Sequence, residues 1–121
     1  MLVLHQIYQA ASQHAQENTK CAHFGCAAVT HDNEFVVVTN NKHRHAEMEA
    51  LEQMKNVMDL FLVRLRKDGT PAMSKPCVDC LFVIKQRGIR NVHYTNEQGT
   101  MVTERAHDMV STHRSKIKII T

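Results

Sequence analysis

The sequence predicts a single α/β domain over residues 1–121, a mixed sheet of about five strands covered by helices on both faces in three α/β/α layers. Three observations predict it. Short β-branched runs alternate with longer segments of helical periodicity. No Pro/Gly-rich linker, internal repeat or low-complexity tract divides the chain. The second half reads strand, helix, strand, helix, strand, an order that implies parallel pairing with right-handed crossovers. Strand ends in such a sheet form a crevice for a ligand.

Leu4, Ile7, Tyr8, Ala11 and Ala15 recur at helical spacing and predict an amphipathic helix over residues 2–18. Two β-branched runs, 26–30 and 35–39, flank the polar His31-Asp32-Asn33-Glu34, which predicts a hairpin. Residues 45–58 are rich in Ala, Glu, Met and Leu and read as a helix. Its stripe of Met48, Leu51, Met54, Val57 and Met58 is expected to be core. A buried strand follows over 60–65, broken by Lys67-Asp68-Gly69-Thr70-Pro71. The next helix is expected to open at Pro76, run to Gln86 and end on Gly88. Residues 91–95 form a strand and Asn96-Glu97-Gln98-Gly99 a turn. A short strand over 100–103, a helix to about residue 112 and a strand or tail over 116–120 complete the reading.

Hydrophobic residues make up 43% and charged residues 22%, ordinary values for a soluble globular protein. No stretch approaches the roughly 20 apolar residues that span a bilayer, so no membrane partner is expected. Met1-Leu2-Val3-Leu4-His5-Gln6 lacks the basic start and long apolar core of a secretion signal, so the expected location is the cytoplasm. In that reducing compartment four cysteines point to metal binding or catalysis rather than to disulfides. The net charge of +3 and pI near 8.8 suit an anionic small molecule. A dedicated nucleic-acid binder shows a concentrated basic stripe instead.

Two segments carry the chemistry. His45-Ala46-Glu47 opens the second predicted helix and Pro76-Cys77-Val78-Asp79-Cys80 the third. Cys77 and Cys80, three apart, lie on one helix face and can reach one metal ion. A helix N-terminus, with its dipole and exposed N–H groups, favours thiolate over thiol. His45 supplies a third ligand from the neighbouring helix. Three protein ligands leave a tetrahedral Zn2+ one open position, the catalytic rather than the structural pattern. Two thiolates cancel the ion's formal charge, yet it can still lower the pKa of water toward neutrality. Glu47, a non-ligand carboxylate, can then move protons from water to a ring nitrogen and to departing ammonia. The expected reaction is hydrolytic, an amino-pyrimidine or amino-purine becoming the oxo form.

His45-Ala46-Glu47 with Pro76-Cys77-Val78-Asp79-Cys80 resembles the H-x-E…P-C-x-x-C signature of the cytidine/deoxycytidylate deaminase superfamily. The likeness covers roughly residues 22–105 and takes in Ala27-Ala28-Val29, Asn40-Asn41 and Glu49-Ala50-Leu51. It implies a cytidine-deaminase-like fold, one zinc shared by the two helices, and cytosine as the favoured base. It further implies that an asparagine ahead of the histidine contacts the sugar; Asn40 is the first choice and Asn41 the second. By the same resemblance, main-chain groups near Ala46, Ala28 and Lys75 read the base edge.

Other readings compete with these. CxxC alone also serves structural zinc or redox pairs, and Cys21, Cys26, His23 and His43 are further donors. His45 is preferred to His43 because it stands two residues before Glu47. Cys26 fits a buried strand position. Phe24, near the predicted crevice, is a candidate for stacking on the base or for the core. Arg44 is a candidate phosphate partner. Arg64-Leu65-Arg66-Lys67 and His113-Arg114-Ser115-Lys116 read as solvated faces. The expected substrate is a free nucleoside or nucleotide, with single-stranded nucleic acid the alternative and a catalytically silent zinc module a further one. Four Phe, two Tyr and no Trp offer little stacking surface for a strand. The apolar helix faces favour a homo-oligomer.

Overall fold

A computed structural model describes residues 5, 6, 9, 13, 23–32, 34–39, 46–66, 68 and 70–112. Residues 5, 6, 9 and 13 are helical, within the segment expected as the first helix. Strands β1 (His23–Thr30) and β2 (Phe35–Thr39) form the expected antiparallel hairpin, with Cys26 opposite Val38. Helix α1 (Ala46–Gln53) then leads to β3 (Val57–Leu65). The two-residue β4 (Pro71–Ala72) precedes helix α2 (Val78–Gln86). Strands β5 (Asn91–Thr95) and β6 (Met101–Arg105) and a 3-10 turn over Ala106–Asp108 complete the described elements.

The sheet order is β2-β1-β3-β5-β6, with β4 paired to the end of β3. Only the β3–β5 pairing is parallel, with Leu62 opposite Tyr94; the rest are antiparallel. The sheet is therefore mixed, as expected, and β4 is its sixth strand. The expected parallel run holds only across α2, because β1 lies between β2 and β3.

Register divides the side chains between two faces. One face carries Cys26, Ala28, Leu60, Leu62, Val92 and Tyr94, covered by Met48, Ala50 and Leu51 of α1 and by Cys80, Leu81 and Ile84 of α2. The other carries Ala27, Phe61, Val63 and Leu65, joined by Val29, Val37 and Met101. Strand β3 is apolar on both sides, as a central strand must be. Leu60 and Leu62 are fully enclosed; burying a leucine contributes about 1.5–3 kcal/mol. On the second face His93 stacks on Phe61 with centroids 4.1 Å apart. Its Nδ1 is 2.7 Å from Thr103 Oγ1 and its Nε2 3.2 Å from Asp59 Oδ1.

Three sequence expectations need correction. The helix expected over 45–58 stops at Gln53, and Val57 and Met58 belong to β3. Asn56 sits at φ 61, a left-handed conformation that asparagine tolerates and that turns the chain back. Val57 then pairs with Thr30 past a bulge, so sheet pairing overrides helix propensity. Pro76 precedes α2 instead of lying in its first turn: Cys77 is the N-cap. The helix expected up to residue 112 is only the 3-10 turn, because Met109 is buried as an anchor and its carbonyl accepts from Lys85 Nζ at 2.7 Å. The strand or tail over 116–120 lies outside the described residues.

Candidate active site

Strand direction brings the two motif-bearing helices to one edge of the sheet. Because β1 is antiparallel to both neighbours, β2 and β3 run the same way and end at the same edge. The chain leaves β2 there toward α1, and leaves β3 there through β4 toward α2. Helix α1 packs over β1 and β2 and reaches β3. Met48, Ala50 and Leu51 share one apolar cluster with Cys77 and Cys80.

Cys77 caps α2 from an extended backbone, φ −69 and ψ 169, and its Sγ accepts from the Cys80 N–H at 3.5 Å. A sulfur in the position that serine or aspartate commonly takes satisfies one of the helix's orphan donors. Both cysteines are enclosed, Cys77 at 5% exposure and Cys80 at 0%. Two sulfurs one turn apart, at the positive end of a nine-residue helix, suit a zinc ion that prefers thiolate. Among the described residues no group of three or more His, Cys, Asp or Glu is arranged to hold a metal. The third expected donor, His45, lies outside the described residues.

The approach to Cys77 is held by side-chain contacts that the sequence did not signal. Arg66 Nη1 donates to Thr70 Oγ1 at 3.3 Å and to the Pro71 carbonyl, and Nη2 donates to the Glu97 carbonyl at 3.5 Å. Arg66 thus ties the loop before α2 to the β5–β6 turn. Gly99 closes against that loop: a Cβ there would lie 3.1 Å from Pro71 Cβ, and its φ is +80. Lys75 Nζ stands 3.9 Å from Glu104 Oε2 and 6.0 Å from the Tyr94 ring centroid. The Tyr94 hydroxyl donates to Glu104 Oε2. Burial, then the hydrogen bond to Glu104 and its charge, push the Tyr94 hydroxyl up to about 12. Ser74 and Thr95 form a buried hydroxyl pair with Oγ atoms 2.8 Å apart. Nothing in the local sequence around either residue signals that pair, because its partners come from three strands.

The expected substrate residues fall in different places. Ala46 is the first residue of α1 and Glu47 the second. Phe24 lies next to the N-terminal end of β1, opposite Arg64 of β3, which puts its backbone at the site edge. Ala28 lies deeper in β1, fully enclosed and opposite Val36 and Leu60. Asn40, Asn41, Arg44 and the competing ligand His43 lie outside the described residues. So does Cys21, whereas Cys26 occupies the buried strand position expected for it.

No described helix is long and apolar enough to cross a membrane. No curated protein matches the chain. The family described as the cytidine and deoxycytidylate deaminase zinc-binding region matches residues 2–96, a span that takes in both motifs. With its paired cysteines on one α2 turn and its mixed α/β sheet, the chain belongs to this family of zinc-dependent deaminases.

Proposed function

We propose that this chain hydrolytically deaminates a cytosine-type nucleoside or nucleotide, cytidine or deoxycytidine or their monophosphates, to the uracil form with release of ammonia. The observation that carries the proposal is the buried Cys77–Cys80 pair at the α2 N-terminus, at the sheet edge from which the Glu47 helix also starts. His45, Cys77 and Cys80 would hold the zinc. Bound there, zinc supplies Lewis acidity that brings the pKa of water toward neutrality.

Glu47 accepts a proton from water and delivers it to the ring nitrogen beside the reacting carbon. The oxygen adds to the carbon that bears the exocyclic amine. Glu47 then carries the remaining hydroxyl proton to that amine, the carbon–nitrogen bond breaks, and ammonia leaves with a carbonyl left behind. Main-chain groups at Ala46 and Lys75 orient the base edge, and Asn40 or Asn41 the sugar. Phe24 stacks on the base, and Arg44 meets a phosphate where the substrate has one. A main-chain group at Ala28, enclosed in β1, joins Ala46 and Lys75 in reading the base edge. A cytoplasmic location and a homo-oligomer complete the reading; for the oligomer, Phe82 on α2 offers an apolar contact, 63% exposed.

The test is ammonia release by zinc-loaded protein from cytidine, deoxycytidine, their monophosphates and a short cytosine-containing single strand. Turnover of a free substrate is expected, with Glu47→Ala retaining zinc and losing at least about 100-fold in kcat, the lower end of a general acid–base contribution. Turnover of the strand alone would move the substrate to polynucleotide. Normal turnover by Glu47→Ala would overturn the assignment of the proton carrier.

A further inference from the structure

Ser74 and Thr95 are the two fully buried polar side chains among the described residues. Burying two hydroxyls is unfavourable unless each is satisfied, so their bonds indicate what they hold. Strand β3 pairs with β5 only from Asp59 to Leu62; beyond that its neighbour is β4. Thr95, at the end of β5, therefore turns its main chain toward Ser74. The Ser74 N–H donates to the Thr95 carbonyl at 2.8 Å, and the Thr95 N–H donates to Ser74 Oγ at 2.7 Å. Ser74 Oγ also lies 2.8 Å from Thr95 Oγ1 and 2.8 Å from the Leu62 carbonyl. Thr95 Oγ1 donates to the Ala72 carbonyl.

Two hydroxyl protons serve these contacts. Thr95 sends its proton to the Ala72 carbonyl and Ser74 its own to the Leu62 carbonyl, and either hydroxyl can donate across the contact between them. The result splices the segment after β4 into the sheet, tying β3, β4 and β5 together at Ser74.

Cys77 follows three residues later. Pro76 between them is fully buried and has its φ locked by its ring. Lys75 is held by Glu104 and the Tyr94 ring. Little backbone freedom is left between the hydroxyl pair and the first sulfur.

We propose that Ser74 and Thr95 are positioning residues for the metal: their hydroxyl pair sets where Cys77 Sγ stands and so the geometry and affinity of the site. This rests on the reading that Cys77 and Cys80 are ligands.

Cobalt(II) in place of zinc gives a visible spectrum that reports thiolate ligation and ligand geometry, and chelator competition gives zinc affinity. Thr95→Val keeps the side-chain shape and removes the hydroxyl; Thr95→Ser keeps the hydroxyl. Thr95→Val and Ser74→Ala are expected to weaken zinc about 10- to 100-fold and to move the cobalt bands, as loss of a group that orients a ligand does. Thr95→Ser restores both. Ile84→Val, on the core face of α2 about one turn beyond Cys80, lowers stability while leaving the cobalt spectrum unchanged. Should Ser74→Ala fail to fold, the isosteric Thr95→Val carries the test. Wild-type affinity and spectrum in Thr95→Val would overturn the proposal. If wild type shows no thiolate–cobalt band, or Cys77→Ser leaves that band intact, the ligand assignment itself fails and the positioning role with it.

Discussion

Tyr94 combines an enclosed ring with a hydroxyl that donates to a carboxylate. Burial is the larger influence and Glu104 the smaller in pushing its titration up to about 12. The folded value lies above the ordinary one near 10, so its contribution to stability is fully present below pH 10 and disappears as pH rises to 12. In a Tyr8→Phe background, which leaves Tyr94 as the chain's one tyrosine, tyrosinate absorbance is expected to rise with a midpoint near 12. Adding Glu104→Gln should lower that midpoint without returning it to 10, because burial remains. A midpoint near 10 in the first variant would show that the ring is open to solvent. At this scale the pairing of Cys77 with Cys80 was legible because their spacing is local to one turn of helix. Ser74, Thr95 and Arg66 were not. Arg66 is exposed, as its reading in a solvated basic face expects, but its guanidinium also holds Thr70 Oγ1 and the Pro71 and Glu97 carbonyls.

Helix α2 illustrates what an element's ends contribute. At its C-terminus Gly88 N–H donates to the Lys85 carbonyl at 3.1 Å and Ile89 N–H to the Ile84 carbonyl at 3.3 Å. Ile84 and Ile89 meet in the core, which completes a Schellman ending. Gly88 sits at φ +73 with nothing within 4 Å of where a Cβ would stand. Substitution there is therefore limited by backbone conformation and not by crowding. Gly88→Ala is expected to cost about 1–2 kcal/mol in chemical denaturation, and Gly88→Asn less, since asparagine accepts the left-handed region. Equal costs would mean that the helix end adjusts. This stop was readable in advance, because glycine after a helical run carries its own signal. The end of α1 was not, since only pairing with Thr30 draws Val57 into β3.

For the whole molecule, a metal that binds the native chain alone stabilises the fold. A ligand present at 100 times its dissociation constant contributes about 2.7 kcal/mol. Strong chelation is therefore expected to lower the melting temperature by about 10 °C, read by circular dichroism with and without chelator. Cys80→Ser should melt lower from the start and ignore the chelator. A wild-type melting temperature indifferent to chelation would separate the metal from the fold.

By itself the sequence determined the α/β class, the hairpin, the glycine stop after α2 and the paired cysteines. Each of these depends on neighbours within about a turn or a strand length, where periodicity and capping act. Only the tertiary structure decided that β1 lies between β2 and β3, that β4 exists, and that Ser74 joins Thr95 ahead of Cys77. Those features come from pairing between distant segments, where the gain in burial and hydrogen bonding outweighs local preference and leaves no local signal.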